Sequence, residues 1–279
     1  MPRKPEPLLI DGRYRYTLSS YEPVEVTVTI PYVSDDDVSL GVAGVLRECG
    51  WQGAGVPDDA WVGANVQGAG SLDDLRATVR AELARMNERY ADATKASACA
   101  GELAGRLEQS VPAAVIARLR ESILQGLETQ TQQAGLSLSD ALAGMGVETG
   151  SVDAMLDEQA RDEAEREAAL DAYAQHKGLA VDETELPSLL GLSPRDARAL
   201  IADARAHGQL DDVMAHALRV KASGMVVAEC RCTYAHETPE HAAERAAEIR
   251  ARRAAWTMPD GSRPDDEPPA GKAPHLKLV

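Results

Sequence analysis

An uninterrupted helical pattern that begins at Ser71 constrains the fold of this chain more than any other feature. The stretch SLDDLRATVRAELARMNERYADATKASACAGELAGRLEQ contains no proline, opens with a helix cap and runs to Gln109. Its large apolar residues recur every three or four positions and share one helical face. They are Leu75, Val79, Leu83, Met86 and Tyr90. A helix of this length spans roughly 50–60 Å at ~1.5 Å per residue, so the sequence predicts an extended arm.

Further helices follow this arm, separated by Pro, Gly and Ser. Pro112 is suited to the first turn of a second helix, whose apolar residues are Val115, Ile116, Leu119, Ile123 and Leu127. Ser151 caps another long helix that stops at Gly178. Phe is absent and aromatic residues make up 4% of the chain, which suits Ala-rich helices better than a barrel or a sandwich. The predicted fold class is therefore mainly α, with long helices as arms and body.

The first sixty residues predict a small α/β head in front of these helices. The stretch RYRYTLSSYEPVEVTVTIP alternates apolar and polar residues on both sides of a turn and predicts a hairpin. Ser34 then caps a short helix, and MVVAECRCTY predicts a strand near the C-terminus. The predicted segments are the head (1–56), a helical domain (57–234), a charged helix (235–257) and a disordered Pro-rich tail (258–279).

The charge of the chain argues against nucleic acid as a direct partner. The formal net charge is −16, with 45 acidic and 29 basic residues, whereas binding to phosphates requires clustered Lys and Arg. No apolar run reaches the ~20 residues that cross a bilayer, and the N-terminus does not have the pattern of a signal peptide. We therefore expect no membrane partner and a cytoplasmic location, where the four cysteines would be reduced.

The sequence contains one group of residues whose types suit a metal. Cys230, Cys232, His236 and His241 follow one another closely, but only one residue separates the two cysteines, whereas the usual zinc-binding pair has two to four residues between them. On a strand the two cysteines would face one side, where small apolar side chains pack. We expect no metal and no other cofactor. No nucleotide-binding loop or hydrolase motif occurs either, and no catalytic residue is assigned.

The helical part resembles the C-terminal chaperone domain of trigger factor, the bacterial folding factor that works without ATP. Five patterns follow one another in the order of that family. They are SLDDLRATVRAEL, VPAAVIARLRESI, GLSLSDALAGMG, HKGLAVDETEL and ALRVKASGMVVAEC. Each pattern alone is common among amphipathic helices, but together they extend over roughly residues 57 to 232.

The head resembles the ribosome-binding domain of the same family less closely. In the octet GWQGAGVP, the residues Gly50, Trp51, Gln52, Gly53, Gly55 and Pro57 correspond to a docking loop that the family writes G-F-R-x-G-x-x-P. Gln52 stands where the family has Arg, and Ala54 stands where it has Gly. Residues 1–60 carry five basic and ten acidic side chains. Since docking on the ribosome relies on cations, we expect at most a weak contact. A plain surface turn is the alternative for the octet.

The resemblance implies an ATP-independent holdase that binds unfolded or nascent polypeptides. The family places a prolyl-isomerase domain of the FKBP type between head and arms, and in this chain only the residues between Pro57 and Ser71 are available for it. We therefore expect no isomerase activity.

Apolar residues on the predicted helices are either core or part of an open client-binding cradle. These candidates are Leu119, Ile123, Leu127, Leu142, Met145, Met155 and Leu170. An assembly protein that serves one folded partner remains the alternative, and the sequence leaves open whether the chain forms a homodimer.

Overall fold

The computed structural model describes residues 4–10, 12–133, 135, 137 and 152–255. It is 64% helix and 9% strand, with a small strand-containing N-terminal part and a C-terminal strand, which confirms the predicted fold class. The strands are β1 (Leu8–Ile10), β2 (Arg13–Arg15), β3 (Glu25–Ile30) and β4 (Arg231–His236). The helices in the described part are α1 (Asp35–Glu48), α2 (Asp59–Asn65), α3 (Leu72–Ala104), α4 (Ala113–Gln133), α5 (Val152–His176), α6 (Leu186–Leu189), α7 (Pro194–Ala206), α8 (Leu210–Glu229) and α9 (Pro239–Ala255).

The chain folds into two compact units. Unit 1 comprises residues 1–27 and 94–233, and unit 2 comprises residues 28–93 and 234–279. The chain passes from one unit to the other within β3, α3 and β4. These units differ from the four consecutive segments expected from the sequence, because each unit combines two stretches that are far apart along the chain. The sequence-based segments stay a prediction.

The long helix expected from Ser71 is present as α3. It has 33 residues and therefore a length of about 50 Å. Leu75 and Val79 are buried, whereas Tyr90 is 62% exposed. The expectation that Tyr90 shares the buried face is therefore wrong. An ideal straight helix drifts by about 20° per heptad, so a stripe predicted over four turns moves away from its contact surface.

The core of unit 2 forms where α1, α2 and the start of α3 pack together. Ser34 caps α1 as expected, since its side chain accepts a hydrogen bond from the Asp37 amide while Asp37 accepts one from the Ser34 amide. This reciprocal capping satisfies two backbone donors of the first turn. The buried residues of this core are Val38, Val42, Val45, Leu46, Val62, Val66, Ala69, Leu75 and Val79.

The predicted hairpin between residues 14–18 and 24–30 is wrong. β2 pairs antiparallel with β1 instead, and β3 pairs with β4. The segment after β2 lies against the α3–α4 connection, where the Ser19 amide donates to Arg106 O at 2.8 Å and the Glu108 amide donates to Thr17 O at 3.0 Å. Alternating apolar residues indicate a strand but not its partner, because pairing depends on contacts distant in sequence.

The strand partner of β3 is remote in sequence. The Arg231 amide donates to Val24 O in unit 1, and the Glu237 amide donates to Ile30 O in unit 2, each at 2.9 Å. Both residue numbers rise together along the ladder, so the two strands run in the same direction. The predicted strand MVVAECRCTY is therefore only partly correct, because α8 continues to Glu229 and β4 begins at Arg231.

Candidate functional site

Helix α4 in unit 1 carries an apolar stripe that its neighbours cover only in part. Leu119, Ile123 and Leu127 recur every four residues and so lie on one face. All three are half-buried, and α4 contains no buried residue among its 21 positions. Apolar helices of soluble proteins usually bury such a face against a core. The stripe of α4, which consists of these three residues, is therefore a partly open apolar surface.

Charged contacts hold α4 against α5. The guanidinium of Arg120 on α4 donates from Nε to Oδ1 of Asp157 at 2.7 Å and also pairs with Asp153. Arg120 is 28% exposed, whereas Asp153 is 84% exposed. A pair at this degree of exposure contributes little to stability. It nevertheless shows that α4 contacts α5 at Arg120, the residue next to Leu119 of the stripe.

Helix α5 contrasts with α4, because small side chains line its buried face. Ala160, Ala164, Ala168 and Ala172 recur every four residues, and each is at most 2% exposed. Alanine lets neighbouring helices approach closely. Among the described elements, α5 packs against α4 and α8. It therefore forms the buried centre of these three helices in unit 1.

The remaining candidates from the sequence fall into three groups. Leu170 is 8% exposed and belongs to the core of unit 1, so it is not accessible to a client in this structure. Met155, near the start of α5, is 37% exposed and does offer apolar surface. Leu142 and Met145 lie outside the described residues.

Sequence reasoning missed a second apolar surface, on β1. Leu8, Leu9 and Ile10 are 71%, 61% and 45% exposed. Three consecutive exposed aliphatic residues on a strand that pairs along one edge are unusual in soluble proteins. The sequence signal is PLLIDG, a short apolar run before an Asp-Gly turn. A run of this length is too short for a signal peptide, and nothing in its pattern distinguishes an exposed strand from a buried one.

A bidentate ion pair joins α5 to α8 inside unit 1. Arg219 donates from Nε and Nη2 to the two carboxylate oxygens of Asp171, each at 2.9 Å, and its Nη1 lies 2.7 Å from Oε2 of Glu167. Burial alone would lower the pKa of Arg219, but the hydrogen bond and charge of Asp171 outweigh it and raise that pKa. Burial also raises the pKa of Glu167. The guanidinium therefore stays charged and positions both helices.

Tyr16, beside this pair, makes unit 1 sensitive to alkaline pH. Burial raises the pKa of Tyr16 from 10.0 to about 12, with a further rise from the charge of Asp171. Above pH 10 the unfolded chain therefore loses a proton that the folded chain retains, and stability falls as the pH approaches 12. We expect Tyr16→Phe to reduce the loss of unfolding free energy between about pH 8 and about pH 11 by about 1.4 kcal/mol.

The measurement is urea unfolding followed by circular dichroism at both pH values. Tyr90→Phe is the matched control, because Tyr90 is 62% exposed. Equal pH dependence in the Tyr16→Phe and Tyr90→Phe variants would show that Tyr16 ionises normally in the folded chain.

The octet GWQGAGVP of unit 2 folds back on its own indole ring. Nε1 of Trp51 donates to Gly55 O at 3.0 Å, and the ring meets that of Trp61 edge to face with 5.0 Å between centroids. Gly50 and Gly55 adopt positive φ angles of 88° and 78°, which glycine tolerates best. Gln52, Gly53 and Gly55 are exposed, and Pro57 is buried. The octet is thus a folded loop with an ordered aromatic wall.

The cysteine-containing segment places Cys230 and Cys232 near Cys99. Both are half-buried on either side of the exposed Arg231, as expected for residues that face one side. Burial raises the pKa of the Cys99 thiol from 9.0 to about 12, and a hydrogen bond with Cys230 adds to the rise. In the described part of the chain, no three His, Cys, Asp or Glu side chains are arranged to hold a metal ion.

None of the helices that the structure describes combines the length and the apolar composition that crossing a membrane requires.

Comparison with known protein families gives one match, in the middle of the chain. Residues 71–192 match the family model described as the bacterial trigger factor protein C-terminus. The match runs from α3 to α6, spans less than half of the chain and confirms the predicted resemblance there. The head lies outside it, and its resemblance stays a prediction. No curated protein sequence matches the chain. The crystal structure of a hypothetical Mycoplasma protein is similar at a TM-score of 0.37 and 8% identity, over 79% of this chain and 90% of that one.

Proposed function

We propose that this chain, whose residues 71–192 match the trigger factor C-terminus, is a chaperone that holds unfolded or nascent polypeptides without ATP. The observation that carries the proposal is the stripe of α4, which lies inside the matched region and contains no buried residue. The exposed residues of β1 and Met155 add apolar surface in the same unit. Clients would be bound by their apolar segments, which unfolded chains expose and folded proteins bury.

The strength of such binding follows from the area that the stripe can cover. Apolar surface removed from water contributes about 25 cal/mol per Å², so each partly covered side chain contributes only about 1 kcal/mol. Binding of this kind is reversible and insensitive to client sequence, and release needs no nucleotide. The net charge of −16 keeps the protein soluble while its apolar surface is exposed.

Light scattering tests the proposal. Several unrelated proteins are denatured chemically and diluted into buffer with and without this chain, in the absence of nucleotide. We expect suppressed aggregation of each client at near-stoichiometric amounts of the chain. If a well-folded chain, as judged by circular dichroism, suppresses none of them, the holdase proposal is wrong. A tight complex with one folded protein would then favour an assembly role.

We further propose that the chain has no prolyl-isomerase activity and acts in the cytoplasm. Between Pro57 and Leu72 the chain holds only α2, a helix of seven residues, where the family places its isomerase domain. Clear catalysis of cis–trans isomerisation in a proline-containing peptide would contradict this.

Ribosome co-sedimentation tests whether the octet GWQGAGVP binds ribosomes. We expect weak binding because Gln52 carries no charge.

A further inference from the structure

A small cavity lies in unit 2 between α1, the octet GWQGAGVP and the start of α3. Its volume is about 210 Å³. Val42 and Leu46 of α1 form one apolar wall, and Trp51 and Val56 of the octet form the other. The charged side chains that line it are Arg47, at the end of α1, and Arg76 on α3. The cavity is therefore lined mainly by apolar side chains together with two arginines.

The aromatic wall of this cavity is fixed by contacts on three sides. The indole is held by its hydrogen bond to Gly55 O and by the edge of Trp61. Gly53 lies so close to the ring that a Cβ at this position would be 2.4 Å from Cζ2 of Trp51. Only glycine fits at 53 without moving the ring. A wall positioned in advance lowers the ordering entropy that a ligand must overcome.

The two arginines differ in their availability. Arg76 donates from Nη1 to Oδ1 of Asp73 at 3.0 Å, so it is already partly neutralised. The guanidinium of Arg47 forms no hydrogen bond or ion pair with the residues that the structure describes. In a chain with a net charge of −16, an unengaged cation among the side chains that line the cavity favours an anionic ligand. Planar carboxylates match the guanidinium through two parallel hydrogen bonds.

The volume of the cavity suits a single side chain better than a whole drug-sized ligand. Small-molecule sites usually measure roughly 300–1,000 Å³, which exceeds this volume. An engineered apolar cavity of roughly 150 Å³ holds one benzene ring, so a volume of about 210 Å³ has room for one large aliphatic side chain. A peptide can insert one such side chain and leave its backbone outside. The apolar walls favour such a side chain, and Arg47 favours an acidic residue beside it.

We propose that this cavity binds a short acidic segment of a partner protein. One large aliphatic side chain of the segment packs against Trp51, and a neighbouring carboxylate pairs with Arg47. The cavity selects for this side chain and charge pattern, whereas the stripe of α4 accepts any apolar segment. The inference does not rest on the proposed holdase activity, because the cavity belongs to unit 2 and the stripe belongs to unit 1.

Fluorescence anisotropy of labelled peptides tests the proposal with the full chain. The probe is a peptide with the core Asp-Leu-Glu, compared with peptides in which Ser replaces the Leu or Lys replaces both acids. We expect saturable binding of the probe and at least tenfold weaker binding of both comparison peptides, because each loses a contact of ~1.4 kcal/mol or more. Equal affinity for all three peptides, or no binding of the probe, would overturn the proposal.

Variants of the chain separate the cavity from general charge effects. Arg47→Gln is expected to weaken probe binding about tenfold, whereas Arg195→Gln, at an exposed position of α7, leaves it unchanged. Gly53→Ala should weaken binding by displacing the indole. An unchanged affinity in Arg47→Gln would contradict the proposal. If single-stranded RNA binds more tightly than the probe peptide and displaces it, the cavity is a phosphate site, and the proposal is wrong. Aggregation suppression by Arg47→Gln should equal that of the natural chain.

Discussion

Replacement of Leu119, Ile123 and Leu127 together by Gln is expected to lower client affinity roughly a hundredfold and to abolish aggregation suppression at stoichiometric amounts. Each side chain contributes about 1 kcal/mol of apolar contact, and about 3 kcal/mol corresponds to roughly a hundredfold change in the dissociation constant. Gln has nearly the helix propensity of Leu, so α4 should remain helical. Each single change should weaken binding only about fivefold.

The matched control introduces the same residue on the exposed positions of α4. Ala114, Ala117 and Ser122 are exposed, and their replacement by Gln adds polarity without removing the stripe. This control should suppress aggregation as well as the natural chain does. Thermal unfolding by circular dichroism verifies that both triple variants are folded. If the Leu119, Ile123 and Leu127 variant is folded and still suppresses aggregation fully, clients bind elsewhere, and β1 becomes the next surface to change.

Leu75→Ala is expected to lower the free energy of unfolding of unit 2 by about 3–5 kcal/mol, as for other fully buried leucines. Leu75 is 0% exposed and belongs to the core formed by α1, α2 and α3. The truncation removes apolar contact and leaves a cavity that the surrounding helices fill only in part. Urea unfolding followed by tryptophan fluorescence measures this change in unit 2, because Trp51 and Trp61 both lie there.

Leu40→Ala provides the control for this prediction. Leu40 lies on α1 in the same unit and is 74% exposed, so the same chemical change should alter the free energy of unfolding by no more than about 0.5 kcal/mol. A loss in Leu75→Ala that is as small as the loss in Leu40→Ala would mean that Leu75 is not buried in the core of unit 2 in solution.

Local features of the fold could be read from the sequence. The cap at Ser34 depends on residues within one turn, since its side chain accepts a hydrogen bond from the Asp37 amide. The length of α3 followed from the absence of proline and the repeat of apolar residues. Such features depend on neighbours in sequence, which is why the helical class and most helix starts were predictable.

Contacts between distant residues could not be read in the same way. Glu25 and Arg231 pair across 206 positions, and no periodicity within β3 identifies β4 as its partner. Each of the two compact units likewise combines two stretches that are far apart along the chain. Sequence patterns specify which face of an element is apolar, but the element that covers this face is determined by tertiary packing.

The same distinction applies to the candidate site. The apolar stripe of α4 was apparent from its spacing, but its incomplete burial was not, because Leu170 has the same residue type and is buried. The exposure of Leu8, Leu9 and Ile10 was missed for the same reason. Burial depends on whether a neighbouring element is available, and this information is absent from the helix or strand itself.

Photocrosslinking tests most directly whether the stripe of α4 binds unfolded polypeptide. A benzoylphenylalanine residue is introduced at position 119, 123 or 127, and for comparison at the exposed position 117, and each protein is irradiated with a client that is kept permanently unfolded. We predict abundant crosslinks from the three stripe positions, few from position 117, and loss of the signal when the folded form of the client is used. Equal crosslinking from all four positions, or crosslinking only from position 117, would contradict the proposed chaperone surface.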